Sequence, residues 1–213
     1  MVGAAALACG PKHVKETAPP PTAPLPTAGI AGQRVGLLPL TLVAAEDSLH
    51  WNAVLSDRAA TLGRADSVIA TLITARAPEV TWVRPDELRR AARRSGGVAP
   101  DPGQLGTAIL RADRLVDVPD PLRSQLRTLV ALAGGRYVMI PAALVYRRRP
   151  AAGVGTQPVA PLHSPPTATA ELSIVLVDAR LGKVGWRTVA RGDGTDPWSA
   201  LTQAVKALTP GLP

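Results

Sequence analysis

Residues 171–192 read ELSIVLVDARLGKVGWRTVARG, and the fold turns on how that stretch is read. Leu172, Ile174 and Leu176 alternate before the segment ARLGK, and Val184, Trp186 and Thr188 alternate after it. Two alternating runs rich in β-branched residues, joined by a Gly-containing connection, predict a β-hairpin. Asp178 stands where its side chain can hydrogen-bond the turn backbone, and Gly182 where the turn needs φ > 0. The rest of the chain must then extend this hairpin as strands or cover it as helices.

Upstream, Arg34 to Val43 (RVGLLPLTLV) is nearly continuous in apolar residues, as expected of a strand covered on both faces. Pro39 predicts that the ladder ends or bulges there. From about Arg64, Val68, Ile69, Leu72 and Ile73 share one helical face, and Pro78 closes that helix. VTWV (80–83) reads as a short second strand. Pro85 opens a helix with Asp86 and Glu87 in its first turn and Arg93 and Arg94 near its end, a charge order that suits the helix dipole, and Gly96 stops it. Residues 97–119 carry a weak helical patch around Leu105 to Leu110. Asp120-Pro121 reads as an N-cap followed by a first-turn proline, opening a helix whose apolar face is Leu122, Leu126, Leu129, Val130 and Leu132 and which ends at Gly134-Gly135. Tyr137 to Tyr146 (YVMIPAALVY) is the third strand, apolar enough to be central. Asp196-Pro197 repeats the cap signal, and Trp198, Leu201, Val205 and Leu208 place a last helix on the sheet.

The expected class is therefore α/β: a mixed sheet of about five strands with a C-terminal β-hairpin, covered by helices in a two-layer or three-layer sandwich. The domain occupies residues 34–209 and is interrupted by a Pro- and Arg-rich excursion at 147–169.

The first 33 residues belong to something else. MVGAAALAC (1–9) is apolar and small-residue-rich and ends in the only Cys of the chain. It reads as the end of a signal peptide with a lipobox-like cysteine, so that Cys9 is a candidate lipidation site. Ala6 stands where such boxes usually carry Leu, and no basic stretch precedes the apolar run. The alternatives are a simple cleaved signal or an incidental apolar N-terminus. Residues 10–33 form a Pro, Ala and Thr tract that cannot bury a core and tends to polyproline II, at roughly 3 Å per residue. A semi-rigid tether directly after a lipidation candidate would hold a domain off a membrane surface.

The chain has 213 residues, a net charge of +8, 22 Pro, two Tyr, four Trp and no Phe, so Leu, Val, Ile and Ala must fill the core. The basic excess admits anionic partners, but the aromatic interleaving of a nucleic-acid surface is missing, and no nucleic acid is expected. Two arginine clusters stand out. Arg89, Arg90, Arg93 and Arg94 share a helix, and Arg147, Arg148 and Arg149 open the excursion. As function they are contact points for an anion or a partner; as local structure they are solvated faces. Catalytic constellations are wanting. His13 and His163 fall in the Pro-rich tracts and His50 stands alone, with no Cys/His cluster, nucleophile elbow, P-loop or dinucleotide fingerprint. Asp193 and Asp196 in GDGTD fit a turn and a helix cap better than a cation loop. No enzyme, metal or cofactor is expected.

The RVGLLPL strand, the ALAGGRYVMIPA stretch and LSIVLVDARLGKVGW, in this order along the chain, resemble a family of bacterial envelope domains. That family includes the curli-secretion lipoprotein, the lipoprotein activators of penicillin-binding proteins and the N-terminal domain of the Tol-system protein TolB. In it a helix ends in a Gly-containing turn into a central strand, and a later strand reaches an Asp-x-x-x-Gly hairpin that often ends on an aromatic residue, here Trp186. The resemblance covers residues 34–209 and implies a mixed α/β sandwich, an export signal and action by protein contact rather than catalysis. It carries over no pore function, because the excursion at 147–169 is a poor substitute for membrane-inserting hairpins. The expectation is a non-catalytic domain on the periplasmic face of the outer membrane, anchored through Cys9 or else soluble in the periplasm. It would bind an envelope protein partner as an assembly, secretion or cell-wall scaffold or regulator, and a homo-oligomer is compatible with that reading. The alternative is a soluble anion- or nucleic-acid-binding domain, or an enzyme, that uses the arginine-rich helix.

Overall fold

The structure is a computed structural model that describes residues 27–112, 114–149 and 167–208. The hairpin forms as β5 (Ala168–Asp178) and β6 (Lys183–Gly194), paired antiparallel. Its turn follows the sequence signal. The Asp178 carboxylate accepts the Leu181 N–H at 3.0 Å, the Gly182 N–H donates to the Asp178 carbonyl at 2.8 Å, and Gly182 has φ +71°. The left-handed region costs most residues strain and glycine almost none.

β5 pairs on its other side with β4 (Tyr137–Arg148), again antiparallel. β1 (Arg34–Leu37) runs parallel to β4, and β3 (Thr81–Val83) parallel to β1, which gives the order β3-β1-β4-β5-β6. A sixth strand, β2 (Val43–Ala45), also pairs parallel with β4, but at Leu144 to Tyr146 rather than at Tyr137 to Met139. The single strand expected over 34–43 is thus two short ones that share an edge of β4 at different heights. The ladder leaves the sheet at Pro39, where a ring replaces the N–H a central strand needs. Side chains hold the break. Asp66 accepts the Leu40 N–H at 2.7 Å, Arg58 donates to the Thr41 carbonyl at 2.7 Å, and the Thr41 and Thr107 hydroxyls lie 2.8 Å apart.

Helices cover both faces, so the sandwich has three layers. On one face α1 (Arg58–Arg76) and α4 (Pro197–Ala207) bury Ile69, Ile73, Leu201 and Val205 against Leu172, Ile174 and Met139. On the other, α2 (Pro85–Arg94) and α3 (Leu122–Ala133) bury Leu88, Leu126 and Leu129 against Val138, Ile140 and Val175. Each such side chain contributes about 1.5–3 kcal/mol on leaving water. α4 approaches β6 with almost nothing between the backbones: a Cβ at Gly192 would lie 2.0 Å from the Ala204 nitrogen, and one at Gly194 2.4 Å from the Ala200 nitrogen.

Two expectations are corrected. The Val184, Trp186 and Thr188 run does not keep to one face. Leu176 pairs with Trp186 but Val177 with Val184, so Gly185 is a bulge that sends Val184 to the α3 side and Trp186 to the α4 side. Asp120 is not the cap of α3; Pro121 occupies that position, and the Asp120 carboxylate accepts the Ser124 hydroxyl at 2.9 Å.

Candidate functional site

Cys9, residues 10–26 of the tether tract and most of the excursion lie outside the described residues. The end of that tract joins the domain: Thr27 and Ile30 are buried, Ile30 within the core beneath α1, and the Gly32 N–H donates to the Glu79 carbonyl at 2.8 Å. The remaining candidates sort by what each charge meets. On α2, Arg89 turns inward and donates to Asp66 at 2.5 Å, while Arg90 pairs with Asp86 one turn earlier at 3.0 Å. Arg93 and Arg94 are exposed, with no acidic partner among the described residues. The four-arginine face expected from the sequence thus divides into one structural cation, one surface pair and two free guanidiniums.

Asp66 is the interior member of this arrangement. Burial pushes its carboxyl above the usual range, and the Leu40 amide and the Arg89 guanidinium pull it back. One side chain on α1 thereby holds the break between β1 and β2 and the position of α2.

Arg147 and Arg148 close β4, and Ala168 opens β5, so the strands run into both ends of the excursion. Arg147 lies between Glu46 and Glu171, at 3.6 and 3.0 Å, and Arg191 meets the other oxygen of Glu171 at 3.1 Å. Burial alone would raise Glu171, yet its two arginines hold it below the usual carboxylate range. Arg148 contributes its backbone N–H to Glu46 at 2.9 Å, and Arg149 pairs with Asp193 at 2.7 Å. Asp193 also accepts from Thr169, and Asp196 caps α4 through the Trp198 and Ser199 amides. These contacts stitch the open end of the hairpin together.

At the closed end, Asp178 faces Arg136 at 2.5 Å. Burial would raise it, but Arg136 and the Leu181 amide hold it below the usual range. Trp186 is half-buried beside the α4-side core, a packing role. Sequence reasoning did not find Asp66, Arg136 or Arg127. Asp66 lies on a helix face marked by its apolar residues, and the two arginines meet partners distant in sequence, Arg136 at the end of β5 and Arg127 from α3 in the hairpin turn. The Arg127 guanidinium donates to the Arg180 carbonyl at 3.2 and 2.9 Å. Among the described residues, no group of three or more His, Cys, Asp or Glu side chains is arranged to hold a metal ion, and no helix is long and apolar enough to cross a membrane.

No protein-family model and no curated protein matches the sequence. Among solved structures, the chain is similar to the LpoB C-terminal domain from Escherichia coli, at 17% identity over 76% of this chain and 83% of that one, TM-score 0.37. It is also similar to lipoprotein GNA1162 from Neisseria meningitidis, at 15% identity over 76% and 83%, TM-score 0.36. A third is the hypothetical protein CT253 from Chlamydia trachomatis, at 12% identity over 84% and 94%, TM-score 0.44. The second of these is itself named a lipoprotein.

Proposed function

We propose that this chain is a non-catalytic envelope domain, held at the periplasmic face of the outer membrane by acylation of Cys9 and a Pro-rich tether, and that it works by binding an envelope protein. One observation carries the non-catalytic part of the reading. Each carboxylate displaced from its ordinary pKa is committed to a junction between elements: Asp66 to the strand break and α2, Asp178 to the hairpin turn, Glu171 to β4 and β6, and Asp196 to the start of α4. A catalytic acid or base instead keeps an oxygen free for a proton of the substrate. Asp66 does line a small cleft between α1 and α2, but its Oδ1 accepts the Leu40 amide and its Oδ2 the Arg89 guanidinium. The tether reading rests on the sequence of residues 1–26, an acylatable cysteine followed by a Pro-rich tract, ahead of the buried Thr27 and Ile30.

The test is the mass of the mature N-terminus, taken from the membrane fraction of cells that express the complete upstream reading frame, followed by crosslinked partner capture. An acylated Cys9 and a captured envelope protein are the expected results; an intact Met1 in the soluble fraction overturns the tether. The exposed Arg93 and Arg94 favour the second reading, an anion-binding surface on α2. If that is the working surface, Arg93→Glu with Arg94→Glu abolishes partner capture, and binding to an anionic polymer collapses between low and moderate salt. Under the first reading capture survives the substitution.

A further inference from the structure

We infer that the groove between the second half of α3 and the closed end of the hairpin docks an acidic peptide segment of the partner, with an apolar side chain on its floor and carboxylates on its rim. This rests on the protein-binding reading above and names the surface and the chemistry that would serve it.

The groove has a volume of about 420 Å³; Val130, Ala131, Gly135 and Ala179 line it, with Arg127, Arg136 and Arg180 at its edge. Its walls are tied across the sheet. Arg127 holds the Arg180 carbonyl, and the Ala179 N–H donates to the Arg136 carbonyl at 3.0 Å. Leu132 and Leu181, each next in sequence to a lining residue, are 42% and 53% exposed.

The charge is uncompensated. Arg136 is neutralised by Asp178, but Arg127 meets only a carbonyl, and Arg180 meets no acidic side chain among the described residues. Neither can be assigned to the dipole of α3, whose last turn holds no basic residue. Guanidinium pairs over an apolar floor suit carboxylates, which they bind bidentately. Two free cations fall short of the four to eight typical of an anionic membrane site.

The probe is the peptide acetyl-Glu-Glu-Leu-Glu-amide, titrated into the isotope-labelled full chain and followed by amide NMR shifts. Shifts should concentrate in residues 127–136 and 179–181. The Gln-for-Glu peptide should bind about tenfold or more weakly, as should the wild-type peptide to an Arg127→Gln, Arg180→Gln chain. Arg180→Gln alone serves as a second variant: its guanidinium makes no hydrogen bond or ion pair among the described residues, so its fold should be intact and its binding still weakened. Shifts centred on α2, or no shifts, overturn the inference. So does co-sedimentation with phosphatidylglycerol vesicles without peptide binding, which would assign the groove to lipid. Self-association that the double variant dissolves would assign it to a second copy. Loss of peptide binding with Cys9 acylated and the partner still captured removes the groove and leaves the proposed function standing.

Discussion

The Oδ1 of Asp66 accepts the backbone N–H of Leu40 across 26 positions of sequence, and both residues are buried. The amide is the one that Pro39 leaves outside the ladder, so a helix side chain takes over a hydrogen bond that a strand would otherwise have made. Asp66→Ala should therefore cost about 2–4 kcal/mol, because it strands a buried amide and removes the partner of Arg89 together. Asp66→Asn keeps an acceptor for Leu40 and should recover more than half of that loss. Urea denaturation of the two variants beside the parent separates the amide contribution from the ion pair; equal losses would mean that the ion pair alone matters.

Gly192→Ala and Gly63→Ala should differ in sign. A Cβ at Gly192 meets the backbone of α4, so the helix must shift and the loss should exceed about 2 kcal/mol. Gly63 lies inside α1 with nothing within 4 Å of its would-be Cβ, so alanine there should stabilise by about 0.5–1 kcal/mol. Thermal melts of both variants test the pair, and a destabilised Gly63→Ala would contradict the helix assignment.

Tyr146→Phe should be neutral or mildly stabilising. The ring is fully buried, edge-on to Trp51 at 5.3 Å, and its hydroxyl has no partner among the described residues. Burial pushes that phenol well above its ordinary range. Removing an unsatisfied hydroxyl while keeping the ring costs little. A loss above about 1 kcal/mol would reveal a hydrogen bond to that hydroxyl.

The acid limb of stability should depend on Asp178. Its folded-state pKa lies below the ordinary value of 3.8, so its contribution is complete above that value and is lost as pH falls through the lower one. The difference in urea midpoint between parent and Asp178→Asn should be large at pH 7 and shrink towards about pH 2. Asp66, raised by burial, has the opposite sign: its contribution is full below the ordinary value and is lost as pH rises through the raised one. An Asp66→Asn chain should therefore show a steeper loss of stability with acid than the parent.

Most elements of this fold are legible in the sequence because each carries a local signal. The hairpin turn follows from Asp178 and Gly182, the stop of β1 from Pro39, and the faces of α3 and α4 from Leu122 to Val130 and Leu201 to Val205. What the sequence hides depends on distant partners. β2 is three residues long and reads as the tail of β1, because nothing in Val43 to Ala45 announces a second docking place on β4. The first turn of α1, starting at Arg58 under the Asp57 cap, lacks large apolar residues. The Gly185 bulge reverses the side on which Val184 points, and alternation alone cannot show it. The arginines illustrate the same limit: Arg89 and Arg93 stand on one helix, yet only the position of Asp66 on α1 turns the first inward.

The place of β4 in the chain has a consequence for synthesis. β1 and β2 both need β4 as their template, and β4 begins only at Tyr137. As the polypeptide emerges, β1 can find β3 through the intervening α1, but β2 has nowhere to dock until Leu144 to Tyr146 are out. The last segment, by contrast, closes on itself: β6 turns back on β5, and α4 lies directly on the glycines of β6. Low contact order of this kind forms quickly, whereas the N-terminal strands wait on long-range closure. Substitutions in β5, β6 and α4 should therefore slow folding, and those around β2 should mainly hasten unfolding.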